Sequence, residues 1–576
     1  MLTTKPKQQI PLSIRTKFFI IICLFLLASV PRLLSLDAHW SSDEARWLKR
    51  SADFMSAIKT GAFSETLLAY HPGVTTMWVA GLRTFFVEPS IDVPNLAQAR
   101  LFIDIILWAS MGIASFLLYQ LFGRWIAFAS FACLAYSPFF LAQARRIHTD
   151  ALASIFIVLT VLLFLVYCQN RHRPRYLILS GITFGLAVLS KSYALILLPW
   201  IPLCLFLFRE EQAVGKSINF LIYIAEGLCF FNCTALTILI IWPVLWMPIF
   251  GILGVCLLGT VITITAELKK KTFTLKRLSF WAACVVLITF CIRLLQTVWI
   301  VFDKVNWAVT TPHEVEHFFL GKVVNDPGWL FYLLVLTIKS TPLMLPLALL
   351  ACILTWKQRK QTEKTGHQFR MVLALSISVV LFMVCLSVTS KKFSRYLLPA
   401  FPMLEILAAI GFIEGLKWSY AVIRSRFGRA ALTYKVPLAV IACLCFLFFQ
   451  VMPVLVLHPY YGTYYNLCWK VTNITKIITV GEASGMDIAA KYLMNKKMDR
   501  PMRGQVSPLS LQFFAGYFIG FVRPTGLTGG PPADYEVVYI RDSQIGRVPQ
   551  TGTLNGELEA VITLNGIDHV WIYKVK

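Results

Sequence analysis

The chain has 576 residues, of which 57% are hydrophobic and 14% charged, with a mean hydropathy of +0.68. Soluble globular chains are about a quarter charged, so this composition excludes an ordinary soluble protein and dissolves most of the chain in lipid. The net charge of +25 does not point to nucleic acid, because the basic residues sit in short clusters between apolar runs, as in cytoplasmic loops.

The first apolar run, 18–36, follows Lys5, Lys7, Arg15 and Lys17 and ends in Pro31-Arg32. It is long and lacks a small-residue cleavage site, so it reads as an uncleaved span rather than a signal peptide. Further runs of spanning length fall at 101–121, 125–143, 151–168, 176–190, 192–208, 218–241, 249–266, 278–297, 329–352, 371–389, 396–416 and 436–456. With about thirteen spans and a cytoplasmic N-terminus, the inner loops hold Arg124, RHRPR (171–175), KKKTFTLKR (269–277), KQRKQTEK (357–364) and RSRFGR (424–429). Those loops hold dense basic clusters, which supports the orientation. The 14 cysteines lie almost entirely in apolar runs with no CxxC pair, so neither a disulfide nor a zinc site is expected.

Residues 37–100 form a long first outer loop. Its apolar piece 74–87 contains Arg83 and is too short to span, so it reads as an amphipathic helix along the outer interface. After residue 456 polar residues return. KIITVGE (476–482) reads as a strand, SGMDIAAKYLMNKK (484–497) as a helix, YEVVYI (535–540) as a strand, and VITLNGIDHVWIYK (561–574) as two strands around Asn565-Gly566. The expected fold is an all-α polytopic membrane domain (1–456) followed by a small extracytoplasmic α/β domain (457–576).

Charged groups in or beside spans are functional candidates. The outer face collects Asp43 and Glu44 in SSDEARW, His71 in HPG, and Arg145, Arg146, His148 and Asp150 in ARRIHTDA. It also collects Lys191 in LSKSY, His313, Glu314 and His317 in TPHEVEHFF, and Lys391, Lys392, Arg395 and Tyr396 in SKKFSRYLLP. These basic residues run against the positive-inside trend, and an anionic ligand such as a lipid phosphate would compensate them. Each has a structural alternative. Asp43-Glu44 suits a solvated helix start behind Ser41 and Ser42, Arg145-Arg146 suits lipid headgroups, and Lys191 at the tip of an apolar hairpin suits snorkelling. His313 and His317 are four apart with carboxylates between, which keeps a divalent metal open without requiring any cofactor.

PFFLAQARRIHTDALAS (138–154), GLAVLSKSYALILLP (185–199), FFLGKVVNDPGWLFYLLVLTIKSTPLMLPL (318–347) and KKFSRYLLPAFPMLEILAAIG (391–411) resemble the dolichyl-phosphate-mannose protein mannosyltransferase superfamily. Its members are GT-C fold glycosyltransferases, the lipid A aminoarabinose transferases among them. TYYNLCWKV (463–471) and VGEASGMDIAAKYL (480–493) resemble the junction and start of the extracytoplasmic domain of bacterial members. The resemblance implies Asp43 as the base toward an acceptor hydroxyl, with Glu44 beside it, and Asp150 near the same site. It implies Lys191 and Arg395 at the donor's lipid phosphate, with Tyr396 and Arg146 close by. His71 falls where the family often has a His/Lys-Pro-Pro element, although Gly73 departs from that pattern, and His313 and Glu314 fall in a further substrate loop. The implied partners are a polyprenyl-phosphate sugar, such as a mannose or related hexose carrier, and a protein, lipid or glycan acceptor. The implied place is the plasma membrane. A lipid-linked sugar flippase would share the basic, polytopic character, but it should carry polar residues at midplane on repeated, broken helices, and no such repeat is present.

Overall fold

The computed structural model describes residues 26, 28–41, 43–69, 72–171, 173–208, 216–246, 316–389, 391–428, 431–469, 471–496, 500–508, 510–525, 532–547 and 556–575, with isolated positions between 295 and 306. The spans expected at 249–266 and 278–297 lie outside the described residues, apart from positions 295 and 296 of the second, and the span at 18–36 does so in its first half. His71, His313 and Glu314 also lie outside them.

The first outer loop folds into helix α1 (Glu44–Thr60) and the short helix α2 (Val74–Gly81). The bundle follows with α3 (Val93–Phe122), α4 (Arg124–Ala135), α5 (Pro138–Ala144), α6 (Thr149–Gln169), α7 (Arg175–Ser190), α8 (Trp200–Leu207) and α9 (Lys216–Ile241). It resumes with α10 (Leu330–Lys339), α11 (Met344–Gln358), α12 (Glu363–Val388), α13 (Ala400–Phe427) and α14 (Ala431–Phe446). Among the described residues six helices are long and apolar enough to cross a membrane, or eight if each of two bent pairs counts as one span. The chain is therefore a multi-pass membrane protein. Helix α6 lies at its centre, since the whole apolar window of that helix is buried. Helices α11 and α13 meet at Gly411, where a Cβ would run into the Leu347 carbonyl, so only glycine lets the two backbones approach.

Three expectations change. The runs at 125–143 and 329–352 are not straight spans: α4 and α5 bend by 62° and α10 and α11 by 102°. Both breaks contain a proline just before or at a helix start, Pro138 in one and Pro342 in the other, where the ring removes an amide donor. Within the piece 74–87, Val74–Gly81 packs inside the protein while Leu82, Phe85 and Phe86 stay exposed. Its Arg83 is buried and donates to Asn95 Oδ1 (3.0 Å) and to the carbonyls of Ala80 (3.1 Å) and Leu48 (3.0 Å), so a residue that looked solvated ties α1 to α3.

Beyond the bundle, five strands form one mixed sheet in the order β4-β3-β5-β7-β6. They are β3 (Arg503–Val506), β4 (Phe521–Pro524), β5 (Tyr535–Tyr539), β6 (Gly556–Leu564) and β7 (Ile567–Val575). The β6–β7 hairpin turns at Asn565 and Gly566, both at positive φ, as a two-residue turn of that composition requires. Residues 476–482 are not the expected strand. Lys476 and Ile477 end helix α15 (Val471–Ile477), and only Ile478 pairs, in a single bridge to Phe319. That Phe319 belongs to a small hairpin, β1 (His317–Phe319) with β2 (Lys322–Val324), which leaves the membrane side to meet the outer sheet domain. Helix α16 (Met486–Met494) covers the sheet, close to the expected position.

Candidate active site at the outer face of the bundle

Helix dipoles set up the centre of the site. Asp150 lies in the first turn of α6 and Lys191 just beyond the C-terminus of α7, so each charge sits where the macrodipole favours it. The two helices are antiparallel neighbours, and their outer ends bring Lys191 Nζ to 2.6 Å from Asp150 Oδ1. Both side chains are buried. The Lys191 ammonium also lies 4.1 Å from the centre of the Tyr396 ring, which adds a cation–π contact. Lys191 is thus engaged inside the protein and does not snorkel to the surface.

Arg395 comes from the opposite side, on the turn Ser394–Leu397 that precedes α13. Its guanidinium lies 3.3 Å from Asp43 Oδ2 and 3.6 Å from Asp150 Oδ2. His148 completes the bridge, with Nδ1 2.6 Å from Asp150 and Nε2 3.7 Å from Asp43. Sequence reasoning placed His148 on this face without giving it a role. The five residues Asp43, Asp150, Lys191, Arg395 and Tyr396, drawn from four separated segments, are brought together.

Asp43 is the open member of the cluster. It precedes α1 at φ 74°, a left-handed conformation that asparagine and aspartate tolerate best among side-chain-bearing residues, and its carboxylate makes no cap hydrogen bond. The carboxylate instead faces Arg395, His148 and Arg46 and stays 25% exposed, whereas Asp150 is 0% exposed. Burial alone would raise its pKa, but the neighbouring His148 and the charge of Arg395 outweigh that and hold it well below the usual carboxylate range.

Glu44, one residue on, is used differently. Its oxygens accept from Arg100 Nε (2.9 Å) and Nη2 (2.5 Å), from the Ser41 amide (2.9 Å) and hydroxyl (2.8 Å), and from the Ile147 amide (2.9 Å). Arg100 also donates to the carbonyls of Leu36, Ala38 and His39 at 2.6–2.8 Å. With every lone pair engaged, Glu44 ties the outer loop to α3 and has no free oxygen for chemistry. Arg145 is similarly structural: it donates to backbone carbonyls of Pro31, Arg32 and Ser35 instead of reaching lipid headgroups.

Arg146 lies apart from the Asp43 cluster and pairs with Glu482 of the outer domain, which also accepts from Gln143. His317 is buried in β1, 5.1 Å from the Phe393 ring. Among the described residues no group of three His, Cys, Asp or Glu could hold a metal ion. A cavity of about 90 Å³ opens beside Arg395, between the bundle and the outer domain. It is lined by Lys339, Arg395, Glu482 and Arg541 among others. Sequence reasoning missed Arg100, Lys339, Glu482 and Arg541. A charge inside or at the edge of an apolar run was the available signal for Lys339 and Arg100, whereas Glu482 and Arg541 stand in ordinary soluble sequence and gave none.

Residues 91–235, which include Arg100, Arg146, Asp150 and Lys191, match the family described as dolichyl-phosphate-mannose-protein mannosyltransferase. Solved structures similar to this chain include ArnT from Cupriavidus metallidurans bound to undecaprenyl phosphate, at 15% identity and TM-score 0.44, covering 96% of this chain and 97% of that one. The oligosaccharyltransferase AglB from Archaeoglobus fulgidus, in complex with an inhibitory peptide and a dolichol-phosphate, aligns at 12% identity and TM-score 0.47 over 92% of this chain and 70% of that one. The protein O-mannosyltransferase complex of S. cerevisiae bound to the sugar donor aligns at 18% identity and TM-score 0.32 over 41% and 34%. No curated protein sequence matches the chain.

Proposed function

We propose that this chain is a glycosyltransferase that moves a sugar, mannose or a related hexose, from a polyprenyl-phosphate donor to a hydroxyl acceptor on the extracytoplasmic side, with inversion at the anomeric carbon. The observation that carries the reading is the contrast within one cluster: Asp43 keeps a partly open carboxylate while Asp150 is closed in by Lys191 and His148. Asp43 takes the proton of the acceptor hydroxyl, whose oxygen attacks the anomeric carbon. The carbon–oxygen bond to the phosphate breaks, and the phosphate leaves with the electron pair. Arg395, with Lys191 behind it, stabilises the negative charge the phosphate gains. Asp150 and Tyr396 hold Lys191 in place.

Arg395 serves both parts of the reaction. Paired with Asp43 it keeps the carboxylate ionised but weakly basic. A donor phosphate competes for that guanidinium, so binding the donor frees Asp43 and raises its basicity. The direct test is Asp43→Asn, which should lower turnover by orders of magnitude while leaving polyprenyl-phosphate binding within about twofold. Retention of more than about a tenth of the activity would move the base elsewhere. Transfer from a nucleotide sugar without a lipid carrier would refute the donor assignment.

The same reading takes residues 1–456 as a membrane domain of thirteen spans with a cytoplasmic N-terminus, and 457–576 as an extracytoplasmic domain that closes over the site. A reporter fused after Lys576 should therefore be extracytoplasmic and one after Lys360 cytoplasmic. Finding both on one side would break the topology.

A further inference from the structure

The cavity beside Arg395 has walls from two sources. The bundle supplies Lys339, at the bend between α10 and α11, and Arg395. The outer domain supplies Glu482, Arg541 and Asp542. The charges in it are unevenly matched. Glu482 is taken up by Arg146 and Gln143, and Asp542 accepts from the Ser510 hydroxyl at 2.6 Å. Arg395 is engaged by Asp43. Lys339 gives two of its three donors to the carbonyls of Gly462 and Tyr464, both at 3.0 Å, and lies over the Tyr465 ring at 3.9 Å. These are neutral partners, and among the described residues no carboxylate lies within ion-pair distance of its ammonium.

Arg541 is less satisfied still. It stands in the short helical turn Ile540–Gln544 that follows β5, and its Nε is buried without a hydrogen-bond partner. Among the described residues it makes no ion pair, although Asp542 is its neighbour in sequence. A buried guanidinium nitrogen with no acceptor is costly, and here it belongs to a cation that faces a cavity shared with two others. An anion entering the cavity would relieve all three at once. Its planar fork suits a phosphate or carboxylate.

We propose that the cleft between bundle and outer domain is an anion-binding site in which Arg541 and Lys339 hold a phosphate or another anionic group of a substrate. The outer domain then supplies part of the substrate site and is more than a cover. The anionic group has two sources: the phosphate of the lipid donor, or an acidic group on the acceptor. The site rests on the Asp43 reading only in taking the neighbouring cluster as the place of transfer, and binding measurements test it without turnover.

The experiment uses the full chain in lipid nanodiscs. Undecaprenyl phosphate is titrated first, and inorganic phosphate is then titrated into protein already loaded with undecaprenyl phosphate. Arg541→Gln removes the charge at similar length, Arg541→Lys restores it, and Arg547→Gln is the control, since Arg547 pairs with Glu316 and does not line the cavity. Arg541→Gln should weaken one of the two ligands by roughly tenfold to a hundredfold, the range for a charged hydrogen bond. Arg541→Lys should recover most of that, and the control should stay within about twofold. Loss of undecaprenyl phosphate affinity assigns the anion to the donor; loss of only the second, inorganic phosphate assigns it to the acceptor. Unchanged affinity for both, in a variant that melts like the parent, overturns the proposal. Should Arg541→Gln fail to fold, the parent protein decides: the two ligands together should shield Arg541 from phenylglyoxal, read by peptide mass spectrometry. Modification at the unliganded rate also overturns it.

Discussion

Two ionic networks start from adjacent residues at the outer end of the bundle, and they are finished to different degrees. Around Glu44, a 0% exposed carboxylate meets a 2% exposed guanidinium, and backbone groups take up the remaining valences. Around Asp43, two acids share Arg395, His148 and Lys191, one carboxylate stays open, and a cavity adjoins. Buried charges persist when every group is paired or when a ligand completes them. The first network is complete in itself, whereas the second has an open carboxylate and an adjoining cavity with room for a ligand.

Exchanging the isosteric neutral residue at each position separates the two. Asp43→Asn should leave expression and melting temperature near the parent while transfer falls by orders of magnitude. Glu44→Gln should do the reverse: Arg100 keeps a buried charge without its counter-ion, which costs about 3–5 kcal/mol, so the protein should express poorly and melt early. Melting curves and transfer rates on both variants check this, and a stable but inactive Glu44→Gln would erase the distinction between scaffold and site.

Lys191→Met is expected to show a mixed effect next in size. It removes a cation from the donor side and leaves Asp150 with only His148 and Arg395, so polyprenyl-phosphate affinity should fall about tenfold or more together with some stability. Unchanged affinity would return Lys191 to a purely structural part. Glu482→Gln probes the contact between bundle and outer domain. Burial would raise the pKa of Glu482, but Arg146 and Lys339 outweigh that and hold it below the ordinary range, so the pair should persist down to acidic pH. Its loss should cost roughly 1–3 kcal/mol and speed limited proteolysis after residue 456. Equal proteolysis rates would show that the domain docks without this pair.

The smallest expected effect is electrostatic. Arg46, 67% exposed, is the outermost of the cations facing Asp43. Asp43 has a depressed pKa, so it stays ionised above that value and loses its charge as pH falls through it. Removing a cation raises the pKa, so Arg46→Ala should move the acid limb of kcat/KM upward by ~0.3 pH unit or less, given the weakness of exposed pairs. A downward shift would contradict the sign of the interaction.

The membrane class, the helical bundle and the gathering of Asp43, Asp150, Lys191 and Arg395 at one end of it were legible in the sequence, because apolar run length and misplaced charge are local signals. So were α16, β5 and the β6–β7 hairpin, whose period and turn residues speak for themselves. Other features depended on partners distant in sequence. Residues 476–482 carry β-forming side chains, yet most find no strand to pair with. The apolar piece 74–87 was amphipathic by pattern, but Arg83 found acceptors inside the protein. Above all, nothing in the Asp43-Glu44 dipeptide says which acid is left open. That was decided by Arg100, 56 positions beyond Glu44, and by Arg395, 352 positions beyond Asp43. Composition and periodicity determine where a segment resides; which charge is left unsatisfied is a property of the assembled packing, and only the tertiary structure decides it.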